Sequence, residues 1–169
     1  AQSPQFYKQM AMAAGFERVF EIGPVFRANP SFTSRHDTEF TSVDMEMSGI
    51  DSHEDIMEFE ERWLQYMLSM IELKHGKEIK DYFGIEVKVP QIPFPRVSMK
   101  EAYGILENGG YNIPREEKGD LAPEDERLLS RYICDRFGHE FVFVIDYPAK
   151  VRPFYHMRYT DRPDITKSF

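Results

Sequence analysis

The residues best equipped for chemistry lie between Val25 and Glu46: Arg27, then Arg35, His36 and Asp37, then Glu39, Phe40, Asp44 and Glu46. A guanidinium grips a phosphate with two parallel N–H bonds and keeps its charge at any physiological pH. A second arginine with a histidine suits the far end of a polyphosphate. Phe40 offers a flat apolar surface on which a purine can stack. Cations on either side of a stacking ring fit a nucleoside triphosphate held without a glycine-rich loop. The competing reading is a solvated hairpin whose arginines pair with Glu39, Asp44 and Glu46. It serves as well for Arg27 alone and less well for the whole constellation.

Two strands must position these groups. In 18–27, Val19, Glu21, Gly23, Val25 and Arg27 share one side, opposite Phe20, Ile22, Pro24 and Phe26. In 40–47, Val43, Met45 and Met47 point one way, and Phe40, Ser42, Asp44 and Glu46 the other. One face is apolar and suits a core, while the other carries charges and a single ring. The connection 28–37 is longer than the roughly two to five residues usual for a hairpin. Long charged loops of this kind tend to carry function.

Upstream, Ser3 and Pro4 read as an N-cap and first helical position, with Gly15 as the stop. Phe6, Met10 and Ala13 or Ala14 recur at helical spacing and are expected to face a core. Gln5 and Lys8, three apart, share another face near the helix start. A lysine there is a counter-ion for a carboxylate, as well as an ordinary exposed helix residue.

Downstream, Ser52 reads as the cap of a helix to about Lys74, stopped by Gly76. Its stripe is Ile56, Phe59, Trp63, Met67 and Met70, with Glu54, Asp55, Glu58, Glu60 and Glu61 as a solvated face. Segment 84–89 reads as a strand. Ser98 and Glu101 form a capping box for a helix through Leu106, ended by Gly109 and Gly110. Segment 111–120 is a polar loop. Pro123 opens another helix with Leu128, Leu129, Tyr132 and Ile133 inward and Gly138 as its end. The apolar run 141–145 predicts a strand buried on both faces, and 154–159 a further strand. The pattern is α+β: an antiparallel sheet flanked by helices.

The 169 residues carry a net charge of −8 with 41% hydrophobic residues, ordinary for a globular chain with a sizeable core. The acidic balance argues mildly against nucleic acid as a partner, although local basic surface is averaged away in such a number. No window has the apolar length of a membrane span, and Cys134, the lone cysteine, excludes an internal disulfide framework. These features fit the cytoplasm. Cys134 is expected to be a buried bystander. The five histidines show no zinc-binding spacing, so no protein-ligated metal is expected. There is no P-loop and no Gly-x-Ser-x-Gly elbow.

Segments 26–28 and 35–44 resemble motif 2 of the class II aminoacyl-tRNA synthetases, within it the archaeal and eukaryotic-like aspartyl branch. Segment 2–9 resembles the amino-acid-binding element of that branch, where a Ser-Pro-Gln turn leads into a helix bearing a lysine. Weaker likeness runs through 94–98, 126–129 and 153–157. The resemblance implies aspartate activation with ATP to aspartyl-adenylate, then transfer to the tRNA acceptor end. It places Ser3, Gln5, Lys8, Arg27 and Asp44 at the amino acid, and Arg27, Asn29, Arg35, His36, Asp37 and Phe40 at ATP. Arg27 would be the catalytic residue. Asn29 stands where the family usually has a glutamate, which puts the efficiency of transfer in question. Magnesium would arrive with ATP, its protein ligands lying outside this chain. Residues 1–169 are then expected to be part of a catalytic domain, cut at both ends, lacking motif 1, motif 3 and the anticodon-binding domain. The intact protein would be a homodimer, and the isolated fragment would have little activity. Two rival expectations are a synthetase-like paralogue acting as an asparagine synthetase and a degenerate binding module.

Overall fold

The computed structural model describes residues 2–28, 37–111 and 119–169. They fall into two compact units, Ala1–Ser52 and His53–Phe169.

In the first unit Pro4 occupies the cap position of helix α1 (Gln5–Ala13), and Ser3 Oγ accepts from Gln5 N at 3.4 Å. The chain leaves the helix through Gly15 at φ +92°, a conformation that favours glycine. Strands β1 (Arg18–Phe26) and β2 (Glu39–Met47) then pair antiparallel, with Val25 opposite Phe40, Gly23 opposite Ser42, Glu21 opposite Asp44 and Val19 opposite Glu46. Arg27 N donates to Thr38 O at 2.9 Å and carries the ladder one pair further.

The alternation expected for both strands is therefore present, but its use is inverted. The face of Val19, Gly23, Val25, Ser42, Asp44 and Glu46 is the more covered one, with Val25 buried. On the apolar face Phe20 is 75% exposed and Val43 49%. The same inversion holds in α1, which buries no residue: Phe6 and Met10 are exposed, while Lys8, Ala11 and Met12 are half-buried. Lys8 reaches the β2 carboxylates, so the lysine side of the helix is the one that meets the strands.

The second unit starts with helix α2 (Glu54–Phe83), which runs past Gly76 and ends at Gly84, φ +67°. An interior glycine costs a helix about 1 kcal/mol, and good helix formers on both sides of Gly76 offset it. The expected strand at 84–89 is absent. Strand β3 (Arg96–Ser98) instead pairs parallel with β4 (Phe143–Ile145). Between them lie helices α3 (Met99–Asn108), with the Ser98–Glu101 capping box in place, and α4 (Pro123–Phe137), ended by Gly138 at φ +67°.

Val97, Ala102, Leu129 and Ile133 form one buried cluster, and Met57, Phe94 and Phe143 another. The buried positions of α2 are thus Met57 and Glu61, neither of them on the expected stripe. Glu61 is not solvated: at 3% exposure it accepts from Phe94 N at 3.0 Å and Arg96 Nη1 at 2.8 Å. Arg96 also donates from Nε to Glu54 at 2.9 Å and stands 5.6 Å from the Phe143 ring centre, tying α2 to β3. Tyr132 and Cys134 face outward from α4, contrary to expectation, because the helix turns Leu129 and Ile133 to the core.

After β4, Ala149–Val151 make one 3-10 turn, and 154–159 is not a strand. That segment is held by a bridge between Arg158 and Thr166 and by side chains: Thr166 Oγ1 donates to Tyr147 O, Ser168 Oγ donates to Thr166 Oγ1, and His156 Nδ1 meets Ser168 Oγ at 2.8 Å.

Candidate active site

All the described candidate residues lie in the first unit. The face formed by alternate residues of β1 and β2 has two poles.

At one pole the Lys8 ammonium lies 2.6 Å from Asp44 Oδ1 and 3.1 Å from Glu46 Oε2. Burial of the ammonium acts to lower its pKa. The hydrogen bonds and charges of Asp44 and Glu46 outweigh that, and the group titrates above the ordinary lysine range. Lys8 is therefore a fixed cation at neutral pH, half-buried and already partnered. Of the three carboxylates that the solvated-hairpin reading assigned to arginines, Asp44 and Glu46 pair with this lysine instead.

At the other pole Arg27 and Phe40 meet. The Arg27 guanidinium carbon is 5.4 Å from the Phe40 ring centre, and Arg27 Nε donates to Gln2 O at 3.2 Å. Phe40 is 36% exposed. Asp37 Oδ1 accepts from Thr38 N at 2.9 Å and shapes the start of β2. Gln5 is exposed at the start of α1, and Ser3 beside it is half-buried.

Between the poles the face is floored by Gly23 and Ser42, opposite one another. A Cβ built on Gly23 would meet no atom within 4 Å, so the space above it is open. From Phe40 to Asp44 is four strand positions, or roughly 14 Å at about 3.4 Å per residue. That span fits a nucleoside monophosphate joined to a small amino acid. The structure thus brings Lys8 to Asp44 and Arg27 to Phe40. Asn29, Arg35 and His36 lie outside the described residues.

Sequence reasoning passed over Glu46 as a ligand of Lys8. The available signal was its spacing of two from Asp44, which puts both carboxylates on one face of a strand. Among the described residues, no group of three or more His, Cys, Asp or Glu side chains is placed to hold a metal ion. Among them, too, no helix is long and apolar enough to cross a membrane.

A nucleotide-sized face laid on an antiparallel hairpin, with an aromatic ring and an arginine in place of a phosphate loop, is the architecture of a class II synthetase. The family model for tRNA synthetases class II (D, K and N) matches residues 1–169, and the chain belongs to that family. It is 45% identical over 170 residues to an aspartate–tRNA(Asp/Asn) ligase of Aeropyrum pernix, an alignment covering 100% of this chain and 38% of that protein. Among solved structures, an aspartyl-tRNA synthetase from Entamoeba histolytica superposes with a TM-score of 0.87 at 34% identity, over 98% of this chain and 34% of that one. An asparaginyl-tRNA synthetase from Pyrococcus horikoshii, complexed with asparaginyl-adenylate, gives 0.81 at 32% identity over 98% and 37%. The α+β architecture expected from the sequence is that of these neighbours. The chain spans well under half the length of the relatives it matches.

Proposed function

We propose that the protein carrying this chain is an aspartate–tRNA ligase, and that 1–169 is part of its catalytic domain. Aspartate and ATP give aspartyl-adenylate and pyrophosphate, and the aspartyl group then passes to the 3′ end of tRNA. The observation that carries this reading is the single face with a fixed cation, Lys8, at one end and Arg27 with Phe40 at the other, separated by one adenylate length over Gly23 and Ser42.

Adenylate formation is an in-line attack of the substrate α-carboxylate on the α-phosphorus. A carboxylate is already ionised at neutral pH, so the step needs no general base; it needs alignment and neutralisation of charge. Arg27 spans the incoming carboxylate and the α-phosphate with its planar fork. Phe40 stacks on the adenine. Arg35 and His36 meet the outer phosphates, with Asn29 and Asp37 flanking the nucleotide. Lys8 takes the side-chain carboxylate of aspartate, Gln5 lies alongside it, and Ser3 and Asp44 receive the α-ammonium. Magnesium would supply further neutralisation of the phosphates when ATP binds. The protein works in the cytoplasm as a homodimer.

Amino-acid-dependent ATP–pyrophosphate exchange tests this, with aspartate, asparagine or no amino acid offered. Exchange with aspartate and not asparagine is expected. Exchange with asparagine alone would move the protein to the asparaginyl branch, and none with either would leave a non-catalytic module. Charging of tRNA in a second assay separates a ligase from an asparagine synthetase, which would pass the same adenylate to ammonia.

A further inference from the structure

We infer that Glu46 is a positioning residue for aspartate recognition, acting through Lys8; this rests on the aspartate-activating reading above. An ammonium carries three N–H donors in a tetrahedral set. One partner, Asp44 at 2.6 Å, leaves the other two free to sweep a cone about the Nζ–Oδ1 line. A second partner at 3.1 Å, Glu46 Oε2, stops that rotation and leaves one donor pointing in one direction. The two carboxylates are two positions apart on β2, so their roots stand on the same face about 7 Å apart and bracket the ammonium from either side. The Lys8 side chain is 15% exposed, which keeps its stem from relaxing to another rotamer in water.

Glu46 itself does not reach the reacting atoms. It is six strand positions from Phe40, roughly 20 Å, and lies opposite Val19 at the far end of the hairpin. Its effect is therefore on how well the third donor of Lys8 meets the substrate carboxylate, and so on aspartate affinity, with the chemical step unchanged. Acceptance of a hydrogen bond is what the role requires, and length matters more than charge. Glutamine keeps both the length and an acceptor oxygen; alanine keeps neither, and aspartate is one methylene short.

Exchange kinetics on the unsubstituted protein, Glu46→Ala, Glu46→Asp and Glu46→Gln decide it. Aspartate-dependent exchange by the unsubstituted protein is the control: its absence overturns the functional reading, not the role of Glu46. Given exchange, Glu46→Ala and Glu46→Asp should raise the KM for aspartate roughly tenfold, the worth of one charge-assisted hydrogen bond, with kcat and the KM for ATP within about threefold. Glu46→Gln should restore most of the affinity. Unchanged aspartate KM in Glu46→Ala overturns the assignment, as does a Glu46→Gln protein as impaired as Glu46→Ala, or an equal rise in the KM for ATP. If Glu46→Ala fails to fold, the contrast between Glu46→Asp and Glu46→Gln answers the same question: an aspartate KM raised equally in both overturns the assignment.

Discussion

Arg27 holds its guanidinium carbon 5.4 Å from the centre of the Phe40 ring, diagonally across the hairpin. A second hold comes from Gln2 O, which accepts from Arg27 Nε at 3.2 Å. The Nε–H faces the backbone, and among the described residues none accepts a hydrogen bond from the terminal N–H groups of the fork. Arg27→Ala is expected to lower aspartate-dependent exchange by about 100-fold or more, the usual cost of removing a preorganised charge-stabilising donor. Arg27→Lys should recover little, because a point charge cannot span carboxylate and phosphate together. Near-normal kcat in either variant would remove Arg27 from the reacting centre.

The floor of the site makes a separate claim. Gly23 is in strand conformation, and a Cβ there would meet no atom within 4 Å among the described residues. Gly23→Phe should leave the thermal midpoint within a few degrees of the unsubstituted protein. It should fill the gap between Arg27 and Lys8, and exchange is expected to fall at least tenfold, the scale on which a misplaced reactant slows a positioned reaction. A folded Gly23→Phe protein with full exchange would mean that the substrate does not lie along this face.

How much of this was legible beforehand follows from the range of the forces involved. The two poles rest on local pattern: strand alternation puts Gly23, Val25, Ser42 and Asp44 on one face wherever the hairpin closes, and the register pairs them as that alternation requires. What could not be read is settled at long range. Glu61 is one of five acidic side chains on a helix until Arg96, 35 positions away, turns out to pair with it. Strand β3 exists because β4 lies beside it, and no property of 84–89 or 96–98 alone decides between them. Gly76 carries a real helix penalty, but a small one against a long run of good formers. The side of α1 that meets the strands carries Lys8 and not the apolar stripe, and a helical wheel carries no information on its partner.

Arg96 and Glu61 give the clearest stability prediction. Arg96→Met leaves the Glu61 carboxylate, 4% exposed, without its ionic partner and should cost about 3 kcal/mol, the low end for breaking a buried pair. Glu61→Met added to Arg96→Met should recover a large part of that loss, since both polar groups are then gone. Denaturant midpoints of the single and double variants measure it. A double variant less stable than Arg96→Met would show that the Glu61 bond to Phe94 N dominates.

The last expectation concerns alkaline pH. Burial pushes the Tyr147 hydroxyl above the ordinary tyrosine value of 10.0, against the stacked guanidinium of Arg152, 3.7 Å from its ring centre. Burial does the same for Tyr159, aided by the Asp146 carboxylate. For Lys8 burial works in the opposite direction, and the carboxylates of Asp44 and Glu46 raise the pKa in spite of it. In all three the folded state holds its proton more tightly than the unfolded chain, so it carries more protons once pH passes the unfolded values. Stability is then complete below about pH 10 and declines as pH rises through the folded pKa values. Thermal midpoints should be flat from about pH 8 to 9 and fall from about pH 10 upward. Tyr147→Phe, which has no proton to lose, should shallow that fall without changing activity at neutral pH. An alkaline slope identical to that of the unsubstituted protein would mean that Tyr147 ionises as readily folded as unfolded.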